Sequence, residues 1–131
     1  MTIKGSCLCG DVTFEIRAEF KNFYLCHCAH CQKDTGSAYA ANLFTGKEAL
    51  VWLTGEDKVK TFKLTPTRHS KSFCCQCGSA VPNTTNGFCS VPAGSLDSQI
   101  SRTPDAHIFT ASQADWESGL EGLKSYARFP E

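Results

Sequence analysis

The chain has 131 residues, with 13 basic and 13 acidic side chains and nine cysteines. This length favours a single domain over residues 1–131, large enough to bury a hydrophobic core. The balanced charge argues against electrostatic capture of nucleic acid or of an anionic membrane. No apolar run approaches the ~20 residues that span a bilayer, and the first residues lack a signal sequence, so we expect a cytoplasmic protein.

Apolar and polar residues alternate along much of the chain, a pattern that predicts short β-strands. In chain order, the predicted strands cover residues 12–16, 23–26, 39–43, 50–53, 58–64, 67–73, 88–91 and 107–110. The strands at 58–64 and 67–73 are expected to pair around a turn at Thr65-Pro66. Helix is expected only as short turns at 29–33 and 112–117. The pattern therefore predicts a mainly β domain with little helix.

The nine cysteines occur mostly in closely spaced groups. An odd number without an export signal argues against a disulfide framework, whereas clustered free thiols are typical zinc ligands. The groups are C-x-C at Cys7 and Cys9, C-x-C-x2-C at Cys26, Cys28 and Cys31, and C-x2-C at Cys74 and Cys77. Only Cys75 and Cys89 lie outside them.

The stretch CCQCG at 74–78 is typical of a zinc knuckle, a tight turn that directs two sulfurs at one metal. The alternative is a redox-active dithiol, but such motifs begin a helix, and no helical pattern follows here. A knuckle supplies two ligands. Cys7 and Cys9 can supply two more, because alternate residues of an extended segment face the same side. We therefore predict a closed structural zinc site with the ligands Cys7, Cys9, Cys74 and Cys77.

Cys26, Cys28 and Cys31 provide three ligands, and three protein ligands with an open position are typical of a catalytic zinc. A fourth protein ligand would instead close the site. The candidates for that ligand are His27, His30, Cys89, His69 and His107. His27 should face away from the metal, and coordination by His30 beside Cys31 would strain the turn. The residues alone leave both arrangements open.

The ligand type narrows the chemistry of a zinc at Cys26, Cys28 and Cys31. Three thiolates on a divalent ion give a net charge of minus one, which makes a poor generator of hydroxide. Such an ion favours a further soft ligand, a substrate thiol, which loses its proton on coordination. We therefore expect carbon–sulfur bond chemistry or thiol capture.

Five stretches in this order resemble the glutathione-dependent formaldehyde-activating enzyme family, which includes centromere-protein-V-like proteins. They are GSCLCGDVTFEI, CHCAHCQKDTGSAYAANLF, SFCCQCGSAV, VPAGSLD and HIFTASQADW. The resemblance implies a β-tent fold of small antiparallel sheets with two zinc ions. It implies a structural zinc at Cys7, Cys9, Cys74 and Cys77 and a catalytic zinc at Cys26, Cys28 and Cys31. The implied activity is that of a carbon–sulfur lyase joining glutathione and formaldehyde into S-(hydroxymethyl)glutathione.

The sequence departs from the family pattern at two positions. Gln32 stands where relatives often have arginine, and Cys75 stands where they often have proline. The first departure bears on anion recognition near the three cysteines.

The expected partners are a small thiol such as glutathione and an aldehyde such as formaldehyde, with a homo-oligomer left open. The alternative function is a non-catalytic binding module with two structural zinc ions. A chromatin- or cytoskeleton-associated role ranks last, because the chain lacks a basic extension.

Overall fold

The computed structural model describes residues 2–130, and short strands make up most of its regular structure. The strands are β1 (Ile3–Ser6), β2 (Thr13–Ile16), β3 (Asn22–Cys26), β4 (Ala40–Gly46), β5 (Leu50–Thr54), β6 (Val59–Lys63), β7 (Ser70–Cys74), β8 (Phe88–Pro92) and β9 (Ala106–Ile108). One α-helix, α1 (Ala29–Thr35), accompanies several single turns of 3-10 helix. Within residues 2–130, no helix is long and apolar enough to cross a membrane. The prediction of a mainly β fold of small sheets is confirmed.

The strands form three sheets. The first has the order β1-β2-β5, the second β8-β4-β3-β9, and the third pairs β6 with β7. All strand pairs are antiparallel except β3 with β9, which run parallel. The predicted pairing around Thr65-Pro66 is confirmed, because β6 and β7 flank that turn.

Strand β2 shows how the alternating pattern produces structure. Phe14 and Ile16 are fully buried, and so is Val12 just before the strand, whereas Thr13 and Glu15 are half-buried. One face of the strand therefore supplies the core. The sequence analysis missed β1, whose four residues Ile-Lys-Gly-Ser contain only one large apolar side chain.

Gly5 of β1 allows a close approach between three parts of the chain. A Cβ atom at this position would collide with the ring of Phe14 and lie 2.6 Å from the carbonyl oxygen of Ser95. Any larger residue would push β1 away from β2. Gly5 weakens the alternating pattern by which β1 could be recognised in the sequence. The same lack of a side chain allows β1 to pack against β2.

The apolar side chains form two clusters. The larger one lies between the first two sheets and is centred on Phe14, Ile16, Leu43 and Val91. The smaller one has four buried members, Cys7, Val12, Cys74 and Val81, and Trp52, Val59 and Cys77 pack against it. Cysteines make up half of its buried members, so the packing at this end of the molecule involves the clustered thiols directly.

Truncating the central core residue should destabilise the fold. Leu43 is fully buried in β4, and Leu43→Ala is expected to lower the free energy of unfolding by about 2–5 kcal/mol. Leu53→Ala, at a position 44% exposed, should cost less than about 1 kcal/mol. Urea unfolding with zinc present measures both values, and equal losses would contradict this account of the core.

Candidate metal centres

The first cysteine group joins two turns that are distant in sequence. The sulfurs of Cys7, Cys9, Cys74 and Cys77 all lie within 4.8 Å of one another. Cys9 Sγ is 3.6 Å from Cys7 Sγ and 3.9 Å from Cys74 Sγ. Zinc bonded to four sulfurs at 2.3 Å in a tetrahedron sets them about 3.8 Å apart, so the group fits zinc.

The turn at Cys7 corrects one expectation. The prediction that Cys7 and Cys9 lie on an extended segment is wrong, because β1 ends at Ser6 and the chain then turns. The turn is closed by Gly10 N, which donates to Cys7 O over 3.1 Å, and Gly10 has a φ of 84°. The two sulfurs converge because the backbone folds around them.

The second turn has the form expected of a knuckle. Cys74 ends β7, and its carbonyl accepts a hydrogen bond of 2.7 Å from Gly78 N. Gly78 has a φ of 76°, which favours glycine at this position. The amide of Gln76 donates to Cys74 Sγ over 3.4 Å, while Cys75 is exposed. Cys75 therefore lies outside the group, as the sequence predicts.

Backbone amides favour the thiolate form of two members of the four-cysteine group, Cys7 and Cys77. N–H groups of Ser79 and Cys9 lower the pKa of Cys77 to about 5. The amide of Val12 donates to Cys7 Sγ over 3.3 Å. Hydrogen bonds to the ionised form favour thiolate, the form that binds a metal.

A surface cluster of three side chains adjoins Cys9. Gln76 Nε2 lies 3.6 Å from Cys9 Sγ and donates to Asp11 Oδ2 over 2.7 Å. Lys58 Nζ donates to the same oxygen over 2.7 Å and lowers the pKa of Asp11. Lys58 and Asp11 thus form an ion pair next to Cys9, and together they add no net charge to the site.

The second cysteine group is local in sequence. The sulfurs of Cys26, Cys28 and Cys31 lie within 4.8 Å of one another. Cys26 ends β3, Cys28 is the N-cap of α1, and Cys31 lies one turn into the helix. The amide of Cys31 donates to Cys28 Sγ over 3.3 Å. A strand that leads directly into a helix therefore gathers the three thiols.

These three thiols resist ionising together. Burial raises the pKa of Cys31, and the neighbouring Cys28 and Cys26 raise it further. Three negative charges this close require a cation to balance them. The donor set and its spacing suit a thiophilic ion such as zinc.

Within residues 2–130, no other histidine, cysteine or carboxylate joins these three sulfurs at that distance. Cys89 lies in the main core on β8, where burial raises its pKa to about 12. His69 instead contacts Asp34, with Nε2 and Oδ2 2.9 Å apart, and the exposed His30 ring lies beside the His69 ring. The side chains considered as a fourth ligand therefore have other positions.

His27 is buried, and both of its ring nitrogens lie within hydrogen-bonding distance of other side chains. Its side chain is 1% exposed. Nδ1 lies 3.0 Å from Glu117 Oε2, and Nε2 shares a 2.8 Å hydrogen bond with His107 Nδ1. The His27 amide donates to Ile108 O over 2.9 Å, and the Tyr39 ring packs against the imidazole. The loop that carries Cys26 and Cys28 is thereby fixed by residues 107–117.

Gln32 completes this attachment. Its Nε2 donates to the carbonyl oxygens of His27 and Ser112, each over 2.8 Å. Both amide hydrogens are thus used, so the Gln32 side chain links the backbone at His27 to the backbone at Ser112. The sequence analysis missed the roles of Glu117 and Gln32, because neither belongs to a local motif.

Comparison with known proteins places this arrangement in a family. A profile of the glutathione-dependent formaldehyde-activating enzyme family matches residues 2–112. A Halomonas elongata protein, provisionally described as a glutathione-dependent formaldehyde-activating enzyme, is 28% identical over 147 aligned positions, which cover all of this chain and 90% of that protein. A crystal structure of a Rhodobacter sphaeroides protein superposes with a TM-score of 0.61 at 19% identity, covering 79% of this chain and 98% of that one. This last likeness concerns the fold.

The fold and its two cysteine groups define a small β protein with two sites that could each hold a metal ion. The family profile covers most of that fold and includes all seven clustered cysteines. The chain belongs to the glutathione-dependent formaldehyde-activating enzyme family.

The two cysteine groups should respond differently to mutation. We expect about two zinc ions per wild-type chain and about one in either Cys74→Ser or Cys28→Ser. Cys74→Ser should lower Tm by roughly 10 °C or more, because it opens the connection between distant turns. Cys28→Ser should leave Tm close to wild type, because the local loop is also held by hydrogen bonds.

Elemental analysis and thermal unfolding measure these effects. Cys75→Ser is the matched control, since it changes an exposed cysteine of the same turn and should alter neither quantity. If Cys28→Ser unfolds the protein as severely as Cys74→Ser, the three-cysteine group is structural as well.

Removing the carboxylate beside His27 should destabilise the fold. Glu117→Ala leaves a buried imidazole nitrogen without its partner, and we expect a loss of about 1–3 kcal/mol in the free energy of unfolding. Glu117→Gln should lose less, because its side-chain oxygen can still accept. The control Glu121→Ala changes an exposed glutamate and should shift stability by under ~0.5 kcal/mol in urea unfolding. Equal effects at both positions would refute this role.

Proposed function

We propose that the protein is an enzyme of carbon–sulfur lyase type that joins a small thiol such as glutathione to formaldehyde. One observation carries this proposal: four cysteines form one group, whereas only three form the other, without a fourth side-chain ligand among residues 2–130. A complete set of four suits a structural ion, and an incomplete set suits a site that receives a substrate. Membership of the family supports the same reading.

The three cysteines would act as ligands and leave the fourth position to the substrate. Zinc held by Cys26, Cys28 and Cys31 would supply a soft position that keeps a substrate thiol deprotonated at neutral pH. Hydrogen bonds within the chain support the three ligands in this role. The Cys31 amide orients Cys28, and the contacts of His27 hold the backbone between Cys26 and Cys28.

The proposed reaction is balanced without a further reagent. The substrate sulfur attacks the carbonyl carbon of formaldehyde, and a carbon–sulfur bond forms as the π electrons move to oxygen. That oxygen takes up one proton, which balances the proton lost by the thiol. The product is a hydroxymethyl thioether, and the reverse reaction breaks the same bond.

Burial around the three cysteines fits thiol chemistry better than hydrolysis. Cys26 and Cys28 are half-buried and Cys31 is buried, so a substrate could approach from the side of the first two. A partly desolvated site strengthens electrostatic interactions with a bound thiolate. Three thiolate ligands also disfavour activation of water, as their charge already offsets that of the ion.

A binding module with two structural ions is the second candidate. It is favoured by a cleft of about 600 Å³ that is lined by residues 2–3, 19–20 and 98–102 and by none of the three cysteines. Such a module would bind its partner away from the metal. A measurement of thiol binding at the three-cysteine group therefore distinguishes the enzyme from the binding module.

Cobalt substitution should report a thiol entering the open position. We expect glutathione to shift the absorption bands of protein loaded with cobalt, because the ion changes from three sulfur ligands to four. Binding should also release about one proton per chain and weaken at low pH, since protons compete for the thiolate. Cys28→Ser should abolish the shift, while Cys75→Ser should preserve it. An unchanged spectrum with several thiols, with and without formaldehyde, would refute the proposal.

A further inference from the structure

We propose that residues 118–130 form a docking surface for a second copy of this chain, so that the protein is a dimer held by this segment. The segment presents apolar side chains to solvent at regular intervals. Their exposed fractions are 40% for Leu120, 65% for Leu123, 52% for Tyr126 and 89% for Phe129. Four large apolar groups within ten residues are more than an isolated surface normally shows.

The segment has little contact with its own chain. It follows Glu117, which is anchored to His27 by the 3.0 Å hydrogen bond. Among the described residues, the hydrogen bonds of 118–130 are local, namely Ser118 N to Asp115 O, Gly122 N to Gly119 O and Leu123 N to Leu120 O. Single turns of this kind cannot cover apolar side chains, because covering them requires a second packed element.

The accessible surface area of the chain is larger than expected for a monomer, which supports an additional binding partner. The accessible area is 8450 Å² for a mass of 14.3 kDa. A compact monomer of this mass exposes about 6,800 Å², so the chain exposes roughly 1,600 Å² too much. Homodimers with permanent interfaces bury about 1,000–2,500 Å² on each partner. This surplus belongs to the whole chain, and it is as large as the area that one copy of a stable dimer would bury.

The composition of residues 118–130 favours binding to a second copy of this chain over binding to an unrelated partner. Aromatic and leucine side chains alternate there with Glu121, Lys124 and Arg128, which carry both signs of charge. A twofold axis places each segment against the same surface of the other copy. Glu121 of one copy can then face Lys124 or Arg128 of the other, whereas a one-sign surface would repel its own copy.

Molar mass in solution tests the proposal directly. We expect the wild-type protein, loaded with zinc, to have a mass near twice 14.3 kDa by light scattering or sedimentation. Leu123→Glu and Tyr126→Glu should each give a monomer, because a carboxylate would be buried in an apolar contact. The matched control is Phe62→Glu on β6, where the side chain is 57% exposed, and it should remain a dimer.

A chain truncated after Gly119 provides a second test, since it removes the segment and keeps Glu117. It should be a folded monomer with the wild-type circular dichroism and zinc content. A monomeric wild type would overturn the proposal, and so would a truncated chain that stays dimeric. Dissociation of Phe62→Glu as complete as that of Leu123→Glu would also overturn it. No thiol or aldehyde takes part, so the outcome is independent of the proposed reaction.

Discussion

The convergence of four sulfurs between two distant turns is the constraint on which the rest of the fold depends. Cys9 and Cys74 are 65 residues apart in sequence, yet their sulfurs lie 3.9 Å apart. One turn follows the first sheet and the other ends a strand of the third sheet. Only a small apolar cluster surrounds this junction. A bound cation would convert four repelling thiolates into a connection between two sheets, so metal binding there would be coupled to folding.

The second group depends on a different kind of support. Its three sulfurs come from one strand-to-helix segment, so no distant strands must meet to form it. Its shape is instead maintained from outside, by Gln32 and by the contacts of His27 with Glu117 and His107. The four-cysteine group thus joins distant parts of the chain, whereas the three-cysteine group is positioned by contacts with other elements. A site of the latter kind can exchange a ligand without unfolding the domain.

Local patterns predicted most of the strands and both cysteine groups. Alternation at residues 12–16 identified β2, and the spacing within 74–78 identified the knuckle, because each signal lies within a few residues. The sequence could not show the β1 strand, whose Gly5 is explained only by the nearby Phe14 ring. It also could not show that His27 is buried, because the residues that surround it follow some 80–90 positions later. The extended form expected at Cys7 was wrong, since a spacing of two fits a tight turn equally well.

The parallel pairing of β3 with β9 sets an order for events during synthesis. Cys77, the last member of the four-cysteine group, precedes β9 in the chain and therefore emerges from the ribosome before β9 does. The chain can therefore close the first group while Cys26, Cys28 and Cys31 lie on an unsupported loop. Residues 106–117 emerge later, add β9 to the edge of the sheet and bury His27. During that interval, at roughly 5–20 residues per second, the three thiols are at their most accessible to stray metals and oxidants.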